Sequence, residues 1–384
     1  MKKKQLFYSA CKAAGLFRLS RLITRNRLRL LAYHGTELDD ESSFSDELFI
    51  RSSTLRRRIA MLQDGRYPVL PLGEAVDRLK DGSMPACAVA ITIDDGFHST
   101  AEAMLPLLKS AALPATVYVT TYYSERDAPV FRLAMRYCFW RSSAKGLNLS
   151  NLGFQLSGEV SFDSAGQKND TLWELINFGE QHLTEVQRNS LLRLCASELG
   201  VDLDAVIQRR SLHLMSPEEL RAVAGDLDIQ LHTHRHRLPE DALAARGEIE
   251  ENRKSLAKVV GGELVHFCYP SGYWTEAFFP FLKAAGIKTA TTCEVGLNDR
   301  STHPYALNRF LDSERISDLE FEAELTGFAE LLRSARRLLK KEQGTVVPDP
   351  AERKRGYPAG HGRSAKPGAA SDVQAAGGAA TRPV

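Results

Sequence analysis

Two aspartates stand side by side at the end of an apolar run, at Asp94 and Asp95, and Gly96 follows them. Neighbouring side chains of a strand point to opposite faces, so adjacent carboxylates serve one site only where the strand ends and the backbone turns. A glycine allows such a turn. One carboxylate can then bind a metal ion while the other accepts a proton. Taken by itself, Asp-Asp-Gly is more often a solvated turn.

Three alternate histidines, His232, His234 and His236, follow another apolar run far downstream. The spacing of four places His232 and His236 on one side of a helical turn or of an extended segment. In a fully extended segment His234 shares that face, so spacing alone does not decide which two bind. Two imidazoles and one carboxylate form a three-ligand site with open positions, which is typical of catalytic zinc. The combination predicts metal-assisted hydrolysis.

Short β-rich apolar runs alternate with helical patterns from about residue 29 onward, which is typical of β-α units with a largely parallel sheet. The candidate strands are residues 30–33, 68–70, 88–93, 115–119, 228–231, 264–268, 288–291 and 306–310, and the main helical patterns cover 53–64, 241–260 and 275–285. Four strands end next to polar residues that could do chemistry, which are His34, Asp94, His232 and Tyr269. In α/β barrels this C-terminal rim carries the active site.

The β-α rhythm lapses between about residues 120 and 215, where helical patterns over 172–178 and 184–199 predict a largely helical insertion. Such an insertion either shapes a substrate groove or only extends the packing, and the sequence favours neither. Residues 331–343 continue as a basic helical extension. Residues 344–384 are rich in Gly, Ala, Pro and Ser, cannot bury enough apolar surface to fold, and are predicted to be a disordered tail.

The bulk composition is that of a soluble globular protein, with 384 residues, 43% hydrophobic and 26% charged, and a net charge of +2 that does not indicate a nucleic-acid partner.

Residues 1–27 carry many basic and no acidic residues, and they predict an amphipathic helix over 4–24. This helix packs on the domain, which we favour, or touches an anionic membrane surface. No apolar run matches a signal peptide or a spanning helix, so we expect a cytoplasmic protein, with the inner membrane face as a peripheral location. The six scattered cysteines are typical of reduced thiols.

Taken together, these motifs resemble the NodB-homology polysaccharide deacetylases, carbohydrate esterase family 4, and in particular a subset with an early Tyr-His motif. The matching segments are residues 92–96, 113–116, 232–236 and 267–272, and the resemblance covers about residues 30–327 outside the insertion. It implies an α/β fold, a distorted (β/α)7 barrel spanning residues 28–330. It also implies removal of N- or O-acetyl groups from sugars, with Asp94 as the general base. The implied metal ligands are Asp95, His232 and His236, and the implied cofactor is a divalent metal, with Zn²⁺ favoured over Co²⁺, Ni²⁺ and Mn²⁺.

The third motif departs from the family pattern. Many relatives have an arginine at its start and a tyrosine near its end, whereas this chain has Cys268 or Tyr269 and then Ser271. The family's oxyanion donor is a backbone N–H of this motif, here within residues Tyr269, Ser271 and Gly272, because Pro270 has no N–H to donate.

Two further residues near these motifs are candidates for substrate contact or base orientation. Arg309, near a late strand end, could substitute for the missing base-orienting arginine, although we favour a surface position for it. Trp274 lies beside the third motif and is the best candidate for stacking on a sugar ring.

The family also uses a late Leu-x-His histidine as general acid, and no such motif follows residue 305. His34 at the end of the first strand is the candidate acid, because the first and last strands of a closed barrel are neighbours. The alternative is a buried strand-end histidine bonded to the backbone.

These features favour a metal-dependent deacetylase that acts on a carbohydrate or glycolipid, with N-acetyl favoured over O-acetyl. The alternative is a catalytically silent carbohydrate-binding protein on the same fold, motivated by the altered third motif. A non-haem iron oxygenase fits neither the β-α rhythm nor the ligand order. A cytosolic enzyme would act on nucleotide- or lipid-linked sugars, for example during capsule or exopolysaccharide assembly. The sequence indicates neither the particular sugar nor the oligomeric state.

Overall fold

The computed structural model describes residues 2–342, so the predicted tail over 344–384 and the last residue of the predicted extension lie outside the described residues. The strands are β1 Arg29–Tyr33, β2 Gly35–Thr36, β3 Phe49–Ile50, β4 Val89–Ile93, β5 Ala115–Val119, β6 Gly146–Asn148, β7 Glu159–Ser161, β8 Asp228–Leu231, β9 His266–Cys268, β10 Thr289–Thr291 and β11 Phe310–Leu311. The helices are α1 Lys2–Ala13, α2 Leu16–Ile23, α3 Glu41–Phe44, α4 Ser52–Asp64, α5 Leu72–Asp81, α6 Leu105–Ser110, α7 Phe131–Arg141, α8 Ala165–His182, α9 Glu185–Glu198, α10 Leu203–Arg209, α11 Pro217–Val223, α12 Ala242–Leu256, α13 Phe279–Ala284, α14 Asp318–Leu325 and α15 Phe328–Glu342.

Seven parallel strands form one curled sheet in the order β10-β9-β8-β5-β4-β1-β11. A single late segment joins the two ends of this order. Leu307 bridges to Thr291 of β10, and three residues later the same segment pairs with β1 through Phe310 opposite Leu31. The circuit therefore closes, and the predicted distorted (β/α)7 barrel with added helices is confirmed.

The two faces of the strands differ in a way that positions the site. Along β4, Val89, Ile91 and Ile93 belong to the outer core between sheet and helices, whereas Ala88 and Ala90 belong to a smaller inner cluster. Because side chains alternate along a strand, Thr92 and Asp94 continue the inner face. Small residues on this face leave room inside the barrel for larger polar groups that enter from other strands.

The insertion forms a hydrophobic cluster of its own, which includes residues of α7, α8 and α9. Its return segment is fixed to the turn after the two aspartates, because Met215 donates its N–H to Gly96 O at 2.8 Å and Leu214 bridges to Phe97. The insertion therefore lies at the end of the barrel where the aspartates are. Its antiparallel pair β6–β7 has no counterpart in the predicted helical patterns.

The N-terminal region differs from the single helix that we predicted over residues 4–24. Two helices, α1 and α2, are separated at Gly15, whose φ of +78° is left-handed backbone that ends a helix without a Cβ clash. Their buried residues Tyr8 and Phe17 pack around Phe328 of α15. No helix within residues 2–342 has the length and apolar character needed to cross a membrane.

Several predicted elements have different bounds, including the following three. The run over 68–70 contributes only a bridge from Val69 to Val89, and the last strand is Phe310–Leu311 instead of 306–310. The helical pattern over 275–285 is split into a 3₁₀ turn, Glu276–Phe278, and α13. Pro280 at the start of α13 lacks an N–H, which suits the first turn of a helix and not its interior.

Candidate active site

The turn after β4 brings both aspartates to one side. Asp95 has a φ of +67° and Gly96 a φ of +80°, and the Gly96 N–H donates to Asp94 O at 2.8 Å. Aspartate tolerates the left-handed region better than most residues do. A Cβ at Gly96 would lie 3.1 Å from the Val119 side chain. The strand therefore ends sharply at this point, as the sequence predicted, and the two carboxylates are not on opposite faces.

The histidine segment folds into a tight loop at the end of β8. His232 is buried, and its Nδ1 donates to the carbonyl of Cys268 at 2.8 Å, so Nε2 is the nitrogen that faces Asp95. Thr233 and His236 have positive φ values of 65° and 53°, and these turns bring His236 back beside His232. The His236 side chain is 40% exposed, so this cluster opens to solvent.

Three possible ligand atoms lie within 4.8 Å of one another, contributed by Asp95, His232 and His236. The Asp95 Oδ1 is 3.3 Å from His232 Nε2 and 3.2 Å from His236 Nε2. Two tetrahedral ligands at about 2.05 Å from zinc lie about 3.3 Å apart, so these spacings fit one zinc ion. The Cys268 carbonyl fixes the tautomer that a metal-binding imidazole needs.

The remaining histidine of the segment points elsewhere. His234 Nδ1 lies 2.8 Å from the hydroxyl of Thr121, and its Nε2 lies 3.8 Å from Glu251. The ambiguity that spacing left among the three histidines is thus resolved by backbone turns: His232 and His236 meet at Asp95, and His234 does not.

Arg309 is fully buried, so the surface position that we favoured was wrong. Its guanidinium donates to both carboxylate oxygens of Asp94, at 2.7 and 2.8 Å, and to the hydroxyl of Thr92 at 3.1 Å. The reason is strand alternation, since Leu307 lies in the inner cluster and Arg309, two residues on, shares its face. The arginine therefore enters the barrel.

The electrostatics of the two aspartates follow from these partners. Burial alone would raise the pKa of Asp94, but the Arg309 guanidinium outweighs burial and holds that pKa below its usual value. Burial likewise opposes ionisation of Asp95, and the neighbouring His236 and His232 lower its pKa nevertheless. Both carboxylates are therefore ionised at neutral pH.

His34 lies beside this pair at the end of β1. Its Nε2 is 3.9 Å from Asp94 Oδ2, and its side chain is 12% exposed. The neighbouring strands β1 and β11 bring His34 and Arg309 to the same carboxylate from two sides.

The third motif contributes backbone more than side chains. Tyr269 is buried in the outer core, and its hydroxyl donates to Tyr305 O at 2.9 Å. The N–H of Tyr269 donates to Thr291 O at 3.2 Å, and that of Gly272 donates to Tyr269 O at 3.1 Å. Ser271 has a φ of +54° at the second position of a 3₁₀ turn, where helical turns leave N–H groups without internal partners.

Trp274 is partly buried and stacks on Phe279, with parallel rings whose centroids are 5.9 Å apart. Part of its apolar surface is thus already covered by protein.

Sequence reasoning missed two polar residues that hold the histidine loop. Asn252 of α12 is fully buried: its Oδ1 accepts from the His232 N–H, and its Nδ2 donates to Val119 O and to the Thr121 hydroxyl. The buried Glu248, one helical turn earlier, accepts from the Arg235 N–H and from the Arg237 guanidinium. Both lie on the buried face of α12, a helix that the apolar spacing predicted. A polar residue on the predicted buried face of a helix could have indicated this supporting role.

Three possible metal ligands beside an ionised, buried carboxylate at the C-terminal rim of an α/β barrel form an arrangement that is typical of metal-dependent hydrolases. The polysaccharide deacetylase family model matches residues 81–161 and 198–290 of this chain, which include Asp94, Asp95, His232 and His236. The chain belongs to the polysaccharide deacetylase family, and the protein is a carbohydrate deacetylase.

A solved structure with a TM-score above 0.5 has a similar fold. The Streptococcus pyogenes deacetylase PplD, determined in complex with acetate, is similar with a TM-score of 0.51 at 15% sequence identity, over 79% of this chain and 99% of that chain. IcaB from Ammonifex degensii gives a TM-score of 0.48 at 15% identity, over 78% and 97% of the two chains. No curated protein sequence matches the chain.

Proposed function

We propose that this protein is a metal-dependent deacetylase that hydrolyses N-acetyl groups of a carbohydrate, with Asp94 as general base and His34 as general acid. The observation that carries the proposal is the meeting of Asp95, His232 and His236 at mutual distances that fit one ion, directly beside Asp94. Asp95, His232 and His236 are the proposed ligands, with Zn²⁺ favoured for two nitrogen donors and one carboxylate oxygen. When bound, such an ion supplies Lewis acidity, which lowers the pKa of water and polarises the acyl carbonyl.

Asp94 is suited to accept the proton of the attacking water. Arg309 holds both of its oxygens, which fixes the orientation of the carboxylate and keeps it ionised. Each oxygen retains a lone pair for a further hydrogen bond. Arg309 thus supplies in this chain the orientation that the third motif, with Cys268 in place of an arginine, does not.

His34 is suited to return a proton to the leaving group, because its Nε2 lies 3.9 Å from Asp94 Oδ2. An amine leaves a tetrahedral intermediate only after protonation, whereas an alcohol leaves far more readily, so a positioned acid matters most for an N-acetyl substrate. This difference favours N- over O-deacetylation.

The developing oxyanion needs a donor, and we assign it to the backbone N–H of Ser271. The N–H groups of Tyr269 and Gly272 already donate within the protein, and Pro270 has none. We retain Trp274, which is partly buried beside the third motif, as a sugar contact.

The direct test is acetate release from a panel of N-acetylated and O-acetylated sugars, with and without a chelator and after re-addition of Zn²⁺, Co²⁺, Ni²⁺ or Mn²⁺. We expect chelation to abolish release, zinc to restore it, and Asp94→Asn to reduce it by about 10²–10⁴-fold. Asp226→Asn is the matched control, because this carboxylate pairs with Lys109 at the surface. Acetate release that survives both the chelator and Asp94→Asn would refute the proposal.

A further inference from the structure

Helix α2 carries an apolar face that the fold does not cover. Its buried face consists of Phe17, Ser20 and Thr24, which pack towards α15 and the end of α14. At 100° per residue, another set of apolar residues falls within a separate sector of about 120°. We call this set the α2 ridge: Leu16, Leu19, Leu22 and Ile23, all exposed.

Helix α15, which packs on the buried face of α2, carries a second exposed apolar stripe. Phe328, Leu332, Ala335 and Leu339 share one stripe, because they are spaced by three and four residues. Phe328 and Leu332 pack in the cluster that holds α1 and α2, whereas Leu339 is 58% exposed. The stripe therefore begins in the core and runs out beyond it.

The charges that α1, α2 and the turn after α2 carry have one sign. The first thirty residues contain no aspartate or glutamate. Arg18 lies on a third face of α2, and Arg25 follows the end of the helix. Both are exposed, and neither has an ion-pair partner among residues 3–339. Arg336 on α15 is likewise exposed and without a carboxylate partner in that part of the chain. An apolar stripe flanked by uncompensated arginines has the composition of a helix that lies in a membrane interface.

We propose that the α2 ridge, together with the exposed end of α15, docks on the surface of an anionic lipid bilayer. The leucines enter the headgroup boundary, and the arginines are attracted by the negative surface potential. A second copy of the chain complements the ridge less well, because it would bring the same uncompensated arginines together. Residues 343–384 contain more basic than acidic residues and do not complement it either.

The fold places this surface away from the candidate active site. Arg29, the first residue of β1, donates to Leu325 O and to Thr24 O, which fixes α2 to the N-terminal end of that strand. His34 follows the other end of the same strand. A protein docked through α2 therefore keeps its catalytic rim free, and docking is independent of the proposed chemistry.

Sedimentation of the full chain with lipid vesicles tests the proposal. We expect binding to phosphatidylcholine vesicles that contain phosphatidylglycerol, and little binding to phosphatidylcholine alone. The double variant Leu19→Ser/Leu22→Ser should reduce binding by at least about tenfold. The matched control is Val186→Ser/Leu243→Ser, which removes two side chains on other helices that are even more exposed, at 77% and 79% against 53% and 64% for Leu19 and Leu22. The control should bind as the wild type does.

Charge and self-association are tested with the same proteins. Arg18→Gln and Arg25→Gln should each weaken binding about fivefold at low salt. Light scattering should give the same molar mass for the wild type and the ridge variant. Absence of binding to the anionic vesicles, or binding that the leucine variant leaves unchanged, would overturn the proposal. A dimer that the leucine variant dissociates would assign the ridge to a second copy instead. Circular dichroism melting of each variant checks that it is folded.

Discussion

Replacing Arg309 by glutamine should destabilise the protein and disable the base at the same time. The guanidinium and the Asp94 carboxylate form a fully buried pair with two parallel hydrogen bonds. Removal of one partner of a buried pair leaves an uncompensated charge, which typically costs about 3–5 kcal/mol. Loss of the orientation of Asp94 should lower kcat by roughly 10²-fold, the usual effect of a misplaced catalytic group.

The stability loss has a defined pH dependence, which urea unfolding of the chelator-treated protein can measure. In the wild type the pKa of Asp94 is lowered, so its contribution to the free energy of unfolding is present above the unfolded pKa and is lost only as the pH falls through the folded pKa. In Arg309→Gln, only His34 and His232 still oppose the effect of burial, so that pKa should rise above the unfolded value. The carboxyl is then stable in the fold only when protonated, so the difference between the two proteins should be largest at pH 7 and should shrink towards pH 4.

Two variants separate charge from geometry and from packing. Arg309→Lys keeps the positive charge but cannot donate two parallel hydrogen bonds to the carboxylate. Its stability and kcat should therefore lie between those of the wild type and Arg309→Gln. Arg58→Gln breaks another buried arginine pair, with Asp312, and should destabilise the fold with a much smaller loss of kcat. If Arg309→Gln unfolds within about 1 kcal/mol of the wild type at pH 7 and retains its kcat, the assigned role of this pair is wrong.

The remaining predictions concern the ligands, the acid and the support of the histidine loop. His236→Ala should weaken zinc binding by at least about 100-fold in a chelator-competition titration, whereas His234→Ala should leave it nearly unchanged, and equal losses would contradict the ligand assignment. His34→Gln should reduce hydrolysis of an acetamido sugar at least about tenfold more than hydrolysis of the corresponding acetate ester, and equal reductions would remove the reason for calling it the acid. Asn252→Leu should lower zinc affinity by about 10–100-fold, because His232 loses a hydrogen bond to its N–H, and wild-type affinity would show that Asn252 does not position the ligand.

The strands and the chemistry at their ends were predictable because both depend on local signals. The strands β5 and β8 have the predicted bounds, and Asp94, Asp95 and His232 lie at strand ends as expected. The alternation of side chains along a strand could also have predicted which residues face the inside of the barrel. It places Asp94, His232 and Arg309 on the inner face, and it turns the side chain of Tyr269 outward into the helical layer.

The parts that were missed depend on contacts between distant segments. Nothing local to Arg309 shows that it meets Asp94, because the two are joined only when β11 closes on β1. The choice between His234 and His236 was made by positive φ values at Thr233 and His236, neither of which is a glycine. Gly15 itself could have predicted the break between α1 and α2. We predicted one helix because the amphipathic pattern continues through this glycine.

Anomalous diffraction at the zinc edge from crystals of the zinc-loaded protein tests the central claim most directly. We predict one strong peak at about 2.0–2.2 Å from a carboxylate oxygen of Asp95 and from Nε2 of both His232 and His236, with Asp94 outside the coordination sphere. A peak that includes His234, or the absence of a peak at this position in crystals of protein that releases acetate, would contradict it.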